Sequence, residues 1–217
     1  MRRTVRAMPS TFASGTLRQY AVLLGGAALL SVGIALSINA GLGVASWQVF
    51  ETGLIAMTGA SFAVVAVVES VVVLLVAWRW LGQLPGPATV LFAALIGPLV
   101  SWLLTVVPVA QDTASAASLL AVGMVLIGVG VGLYVGAGLG ASAQDSLFVG
   151  LFTRFSWRPR SARLLTDMLL VGAGWALGGQ VGVGTVVITI GLPLVIEPGM
   201  RAGAALAAQP ELSRSLR

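Results

Sequence analysis

The chain has 217 residues, of which 58% are hydrophobic and only 9% charged, against about 25% charged in a soluble domain, and its mean hydropathy is +1.01. All 12 basic residues are arginine, and against 7 acids they leave a formal net charge of +5. Without Cys, His or Lys, disulfides, thiolate nucleophiles, His or Cys metal sites, histidine general bases and Schiff-base lysines are all excluded.

The composition is that of a protein embedded in lipid, expected not to be an enzyme and to carry no cofactor and no metal. A pI near 11.3 is also found in nucleic-acid binders, but these arginines lie between or outside apolar runs rather than on a soluble basic face, so they read as topology signals and no nucleic-acid partner is expected.

In chain order, residues 1–19 form a basic, Ser/Thr-bearing tail, expected to be disordered and cytoplasmic because Arg2, Arg3, Arg6 and Arg18 precede the first apolar run. The run from Ala21 to Ile38 is too long for a signal-peptide core and is read as a retained first span. Segment two, about 44–58, has roughly 15 residues where a span needs about 20, so it is a short tilted helix or half of a re-entrant hairpin. Segment three, 61–80, carries Glu69 near its middle and ends in Trp78-Arg79-Trp80, an interfacial anchor. Leu84-Pro85-Gly86-Pro87 is a turn, and segment four, 88–107, holds Gly97-Pro98 as a kink.

A polar linker at 108–116 leads to segment five, about 117–136, and to the short segment six, 141–155. Segment six runs into Arg154, Arg158, Arg160 and Arg163, read as a cytoplasmic loop. Segments seven, 162–178, and eight, 183–197, precede a polar cytoplasmic tail at 200–217.

The two halves repeat. Ala40-Gly41-Leu42-Gly43 recurs as Ala137-Gly138-Leu139-Gly140, and the offset 138 − 41 = 97 also carries Gly33 onto Gly130, Leu36 onto Leu133 and Gly53-Leu54 onto Gly150-Leu151. Further on it slips to 96, pairing Thr89-Val90 with Thr185-Val186. The expected fold is an all-α, polytopic transmembrane helix bundle built from two internal repeats, 20–107 and 117–199, with eight membrane segments of which the second and sixth are short or re-entrant.

Two topologies fit. If segments two and six return to the side they entered, there are six spans in inverted repeats, with all 12 arginines on the cytoplasmic side and Asp112 outside. If they cross, there are eight spans in parallel repeats and Arg79 alone falls outside. Eight crossing helices are preferred, because Trp47, Gln48 and Glu51 spread round segment two as in a buried helix. Both topologies give a multi-pass cell-membrane protein with cytoplasmic termini.

In segment five Gly128, Gly132, Gly136 and Gly140 recur every four residues and are expected to stack on one helix face for close packing, as are Gly41, Gly43 and Gly138. Such an interface is also compatible with a homo-oligomer. Glu51, Glu69, Asp145 and Asp167 lie within apolar segments, where a charge costs on the order of 2.5–3.5 kcal/mol, and Gln48 matches Asp145 across the repeat. With no arginine expected in the interior, these acids are expected to be protonated, or to face water, a cation or one another.

At the repeated Ala-Gly-Leu-Gly element the sequence resembles the YczE/YitT-type bacterial integral membrane proteins, closer to the YczE branch. That family shows, twice, a Gly-Leu-Gly followed by a Pro-Trp-Asp-like step and a Gly-Leu, with a Gly-x-Gly-Thr stretch later in each half. Here the first copy reads Gly41-Leu42-Gly43-Val44-Ala45-Ser46-Trp47-Gln48 with Gly53-Leu54, and the second Gly138-Leu139-Gly140-Ala141-Ser142-Ala143-Gln144-Asp145 with Gly150-Leu151. The proline is missing from both copies, the tryptophan from the second and the acid from the first. The resemblance spans all but the two tails and implies a polytopic bacterial protein with a role in transport or an influence on secondary-metabolite production.

The functional expectation is a small-solute transporter or exporter whose site lies between the repeats. Gln48, Glu51, Glu69, Asp145 and Asp167 would bind a small polar or cationic solute and carry a proton or cation. The alternative is a non-transporting accessory protein acting on a membrane partner.

Overall fold

Helix starts are set by short polar side chains. Thr16, Ser61 and Asp112 accept from the backbone N–H groups of Gln19, Val64 and Ser115, satisfying donors that a helix start leaves unpaired. The computed structural model describes residues 15–83, 87–140, 142–155 and 159–208. Among these the regular elements are α1 (Leu17–Ala40), α2 (Ser46–Thr58), α3 (Phe62–Leu81), α4 (Pro87–Val106), α5 (Thr113–Gly136), α6 (Ala143–Phe155), α7 (Pro159–Ala176) and α8 (Val183–Leu206). Most of the N-terminal tail, the turn at 84–86, Arg158 and the last nine residues lie outside the described residues.

The described protein is all-α. Five helices, α1, α3, α4, α5 and α8, are long and apolar enough to cross a membrane. α2 and α6 have 13 residues each, about 20 Å at 1.5 Å per residue, against about 30 Å of hydrocarbon. α8 contains Pro193 and Pro198 and continues to Leu206, past residue 199 where the sequence ends the second repeat. Gly199, Gly203 and Ala204 are buried there, so packing rather than composition fixes its end.

The centre is an antiparallel crossing of α1 and α5. A Cβ added to Gly26 would lie 2.8 Å from the carbonyl oxygen of Gly130, and one added to Gly33 would lie 2.7 Å from that of Gly123. The two backbones touch with no side chain between them, as small residues allow in lipid. Partners run in opposite directions along the two helices, so α1 and α5 are antiparallel. In eight crossing helices they would be parallel, so that preferred alternative is corrected here.

A second glycine face of α5 meets α8. The same added Cβ on Gly128, Gly132 and Gly136 would meet Val195, Gly199 and Met200 at 2.6, 2.5 and 2.6 Å, with numbers rising together, so α5 and α8 are parallel. Gly140 lies beyond the end of α5, so it does not continue that stack. Gly41 has open space where a side chain would be, whereas Gly43 packs against Gly182. What the two Ala-Gly-Leu-Gly copies share is backbone conformation: φ is +69° and +70° at Gly41 and Gly138, and +104° and +127° at Gly43 and Gly140, a region open chiefly to glycine.

The two ends of the bundle are now defined. Leu23 of α1, Phe92 of α4, Tyr134 and Ala137 at the end of α5 and Ala207 after α8 form one buried cluster. At the other end Ala40, Leu120 and Ile188 pack together, and Asn39 donates its side-chain N–H to the Val107 carbonyl at 2.7 Å. Arg18, Arg79, Arg154, Arg163 and Arg201 all belong to helix ends on the Leu23 side, and Asp112 lies on the opposite side.

Two expected outcomes follow from this packing. Gly130→Ala should destabilise the detergent-solubilised protein by about 1–3 kcal/mol through backbone overlap with α1. Gly25→Ala, whose new methyl meets no atom within 4 Å, should instead stabilise it by about 0.5–1 kcal/mol; equal effects in thermal unfolding would contradict the crossing. At Asp112 the Ser115 backbone N–H, aided by the Ser115 hydroxyl, holds the carboxyl below the usual carboxylate range. A depressed folded-state value stabilises above the unfolded-state value and is lost as pH falls through the folded one. The thermal midpoint of Asp112→Ala should therefore fall below wild type at neutral pH, and the gap should close in acid.

Candidate functional site

α2 and α6 are too short to span, and where they start decides what they do. Trp47 at the start of α2, Ala143 at the start of α6 and Val73 in the middle of α3 share one buried cluster. From there the two helices diverge. Ile55 of α2 packs against the cluster that holds Phe62 at the beginning of α3, while a Cβ on Gly150 of α6 would meet Leu81 at the end of α3 at 2.6 Å. Two half-helices thus begin side by side in the interior and lead out toward opposite faces. α2 rests on α7, where a Cβ on Gly53 would lie 2.5 Å from the Gly174 carbonyl, and α6 rests on α3.

A cavity of about 130 Å³ lies at this meeting point, and Gln48, Glu51, Asp145 and Asp167 line it together with Trp47, Phe92 and Phe148. Glu69, the fifth residue singled out in the sequence, stands beside Glu51, close enough for the two carboxyl groups to interact electrostatically. Glu51 and Glu69 are 4% and 7% exposed, and Glu51 Oε2 and both carboxylate oxygens of Glu69 have no hydrogen-bond partner. Buried polar atoms are ordinarily paired, so this cluster is unsatisfied within the chain.

Asp145 is held differently. Its Oδ2 accepts from the Tyr134 hydroxyl and from the Ser142 hydroxyl at 2.8 Å, while its backbone N–H donates to Ser142 Oγ at 3.1 Å. Ser142 therefore caps α6, and Asp145, in the first turn, returns the bond and ties the helix start across to α5. Asp167 pairs with Arg163 one turn earlier at 3.1 Å, and the Arg163 guanidinium sits 5.9 Å above the Phe148 ring.

The expectation that no arginine would neutralise these acids is thus corrected for Asp167, since Arg163, 49% exposed, reaches it at the edge of the cavity. Its i,i+4 spacing from Asp167 was visible in the sequence, but the position was read as loop because it follows three other arginines. Tyr134 and Ser142 were missed as well. A Ser-x-x-Asp step opening a helix is a capping-box signature, and it was the available signal for Ser142; nothing in the apolar run around Tyr134 marked it.

The family of unknown function DUF6198 matches residues 17–198. The chain is 27% identical over 173 residues to "Uncharacterized membrane protein YczE" of Bacillus subtilis (strain 168), covering 79% of this chain and 80% of that one. It is 29% identical over 205 residues to an "Uncharacterized protein" of Haemophilus influenzae, covering 91% and 93%. No solved structure matches. With several membrane-length helices and a membrane protein among its relatives, this is a multi-pass membrane protein, and it belongs to the DUF6198 family.

Proposed function

We propose that the chain is a transporter of a small polar or cationic solute in a bacterial cell membrane, built from two inverted repeats, with the solute held where they meet. One observation carries the reading: the cavity is lined by matching positions of the two halves. Leu30 and Ile127, Ile34 and Val131, Ala45 and Ser142, Gln48 and Asp145, and Ser70 and Asp167 all line it, and each pair differs by 97, as in 127 − 30 and 167 − 70. A cavity on the axis of a duplicated bundle is where repeat-built transporters place their sites.

Further support comes from exchanged contacts. α2 lies on α7 as α6 lies on α3, and a Cβ on Gly43 would meet Thr185 Oγ1 at 2.7 Å as one on Gly140 would meet Thr89 Oγ1 at 3.4 Å. In this reading six helices cross, the five of membrane length together with the 18-residue α7, α2 and α6 are re-entrant, and the arginine-bearing face with both termini is cytoplasmic.

The acids supply the driving chemistry. Like charges at close quarters repel, and a proton or a cation bound between Glu51 and Glu69 removes that repulsion, so the pair loads one on one side and releases it on the other. Asp145, held by Tyr134 and Ser142, and Asp167, paired with Arg163 through Oδ2 alone, set the shape and polarity of the solute site, and Gln48 offers it both a donor and an acceptor.

A flux assay tests this. Purified protein in proteoliposomes under a pH gradient should give saturable uptake from a panel of small amines and zwitterions. Glu69→Gln should lower that uptake on the order of ten-fold or more and flatten its pH dependence, as expected for an ionisable group on the pathway, and Asp145→Asn should raise the solute concentration needed for half-maximal uptake. Uptake and pH dependence unchanged in both variants would remove these residues from the mechanism. Activity only in the presence of a second protein would favour an accessory role.

A further inference from the structure

The repeat-mates α2 and α6 start differently, and the difference leaves one of them open. On α6, Ser142 and Asp145 bond reciprocally, with Asp145 N–H donating to Ser142 Oγ at 3.1 Å and Ser142 N–H donating to Asp145 Oδ2 at 3.4 Å. The matching residues on α2 are Ala45 and Gln48. Ala45 has no side-chain oxygen, and no side chain caps the helix. A helix start leaves N–H groups without intrahelical partners, and inside a bilayer their desolvation is costly unless something accepts from them. Among the described residues, nothing accepts from the N–H groups of Ser46, Trp47 or Gln48, while Ala45, Trp47 and Gln48 line the cavity.

A second, independent feature points to a ligand in the same place. Glu51 lines the cavity, is 4% exposed and has an Oε2 without a partner; its repeat-mate is the apolar Phe148. Unmet donors and an unmet acceptor therefore share one small chamber. From Trp47 to Glu51 the helix rises about 6 Å, little more than two hydrogen bonds of about 2.9 Å laid end to end. A ligand that reaches both fits best when its anionic and cationic groups sit close together, as they do on a single carbon. Arg163, at the cavity's edge, engages Asp167 through Nε at 3.1 Å and keeps 49% of its side chain exposed.

We infer that the cavity binds a small α-amino acid as its zwitterion, with the carboxylate on the uncapped first turn of α2 and the ammonium group against Glu51. This deepens the proposed function by naming its solute class. The helix N-terminus contributes a partial positive charge to the carboxylate end, and the aromatic faces of Trp47 and Phe92 close the apolar sides.

The test is equilibrium binding of radiolabelled L-alanine to the purified full-length protein in lipid nanodiscs, with two competitors. Propionate lacks the ammonium group, and ethylamine lacks the carboxylate. Alanine should bind at least about ten-fold more tightly than either, the scale of one hydrogen bond to a charged group. Ala45→Ser, which gives α2 the oxygen that Ser142 gives α6, should weaken alanine by about ten-fold and leave ethylamine unchanged.

The inference is overturned if alanine does not bind, if either competitor equals it, or if Ala45→Ser binds alanine like wild type. Should that variant fail to elute as a folded protein, the three-probe comparison on wild type decides alone. Alanine binding without flux would remove the transport reading and keep the site. Flux of another solute without alanine binding would do the reverse.

Discussion

The antiparallel contact of α1 with α5 positions everything else. Lipid offers no hydrophobic drive for helices to associate, so backbones must come close enough for dispersion to hold them, and at Gly26, Gly33, Gly123 and Gly130 they do so without intervening side chains. α5 then uses its second glycine face for α8, and Phe92 of α4 packs beside α1 near Leu23. These long helices are thereby committed to the central core. The short α2 and α6 are left to lean on α7 and α3, and their starts meet in the interior.

That geometry explains why polar groups cluster where they do. A helix that begins within the bilayer brings unpaired N–H groups with it, and the chain answers this once, with the Ser142 and Asp145 cap on α6 tied to Tyr134. The other half-helix has no such answer, and the buried carboxyl groups of Glu51 and Glu69 are likewise unsatisfied. A fold selected for stability alone would be expected to remove both defects, and their presence in one chamber is what the proposed function rests on.

Much of the fold was legible because lipid enforces it: apolar runs of helix length, glycine-rich joints and capping residues gave eight segments close to the eight helices found. The Ala-Gly-Leu-Gly duplication located the joints, although the glycines there serve backbone conformation more than packing. Direction was not legible, since six and eight crossings differ in the placement of only one arginine, whereas the Gly26–Gly130 and Gly33–Gly123 contacts are long-range facts. The Gly128, Gly132 and Gly136 stack was legible from its spacing, but its partner α8, and the Gly123 and Gly130 face that meets α1, were not. Of the five residues singled out, Gln48, Glu51, Asp145 and Asp167 line the cavity and Glu69 backs it. The Arg163 contribution was missed because a charge run looks like a loop until the helix beneath it is known.

The side of the membrane on which α2 and α6 end decides between the two topologies, and the absence of cysteine from the sequence makes it directly measurable with single-cysteine variants and a membrane-impermeant thiol reagent in oriented vesicles. Cysteines replacing Thr58 and Gln111 should be labelled from one side, and those replacing Arg154 and Ala205 from the other. Labelling of all four from the same side is what eight crossing helices would give, and it would contradict the inverted pair of half-helices on which the cavity depends.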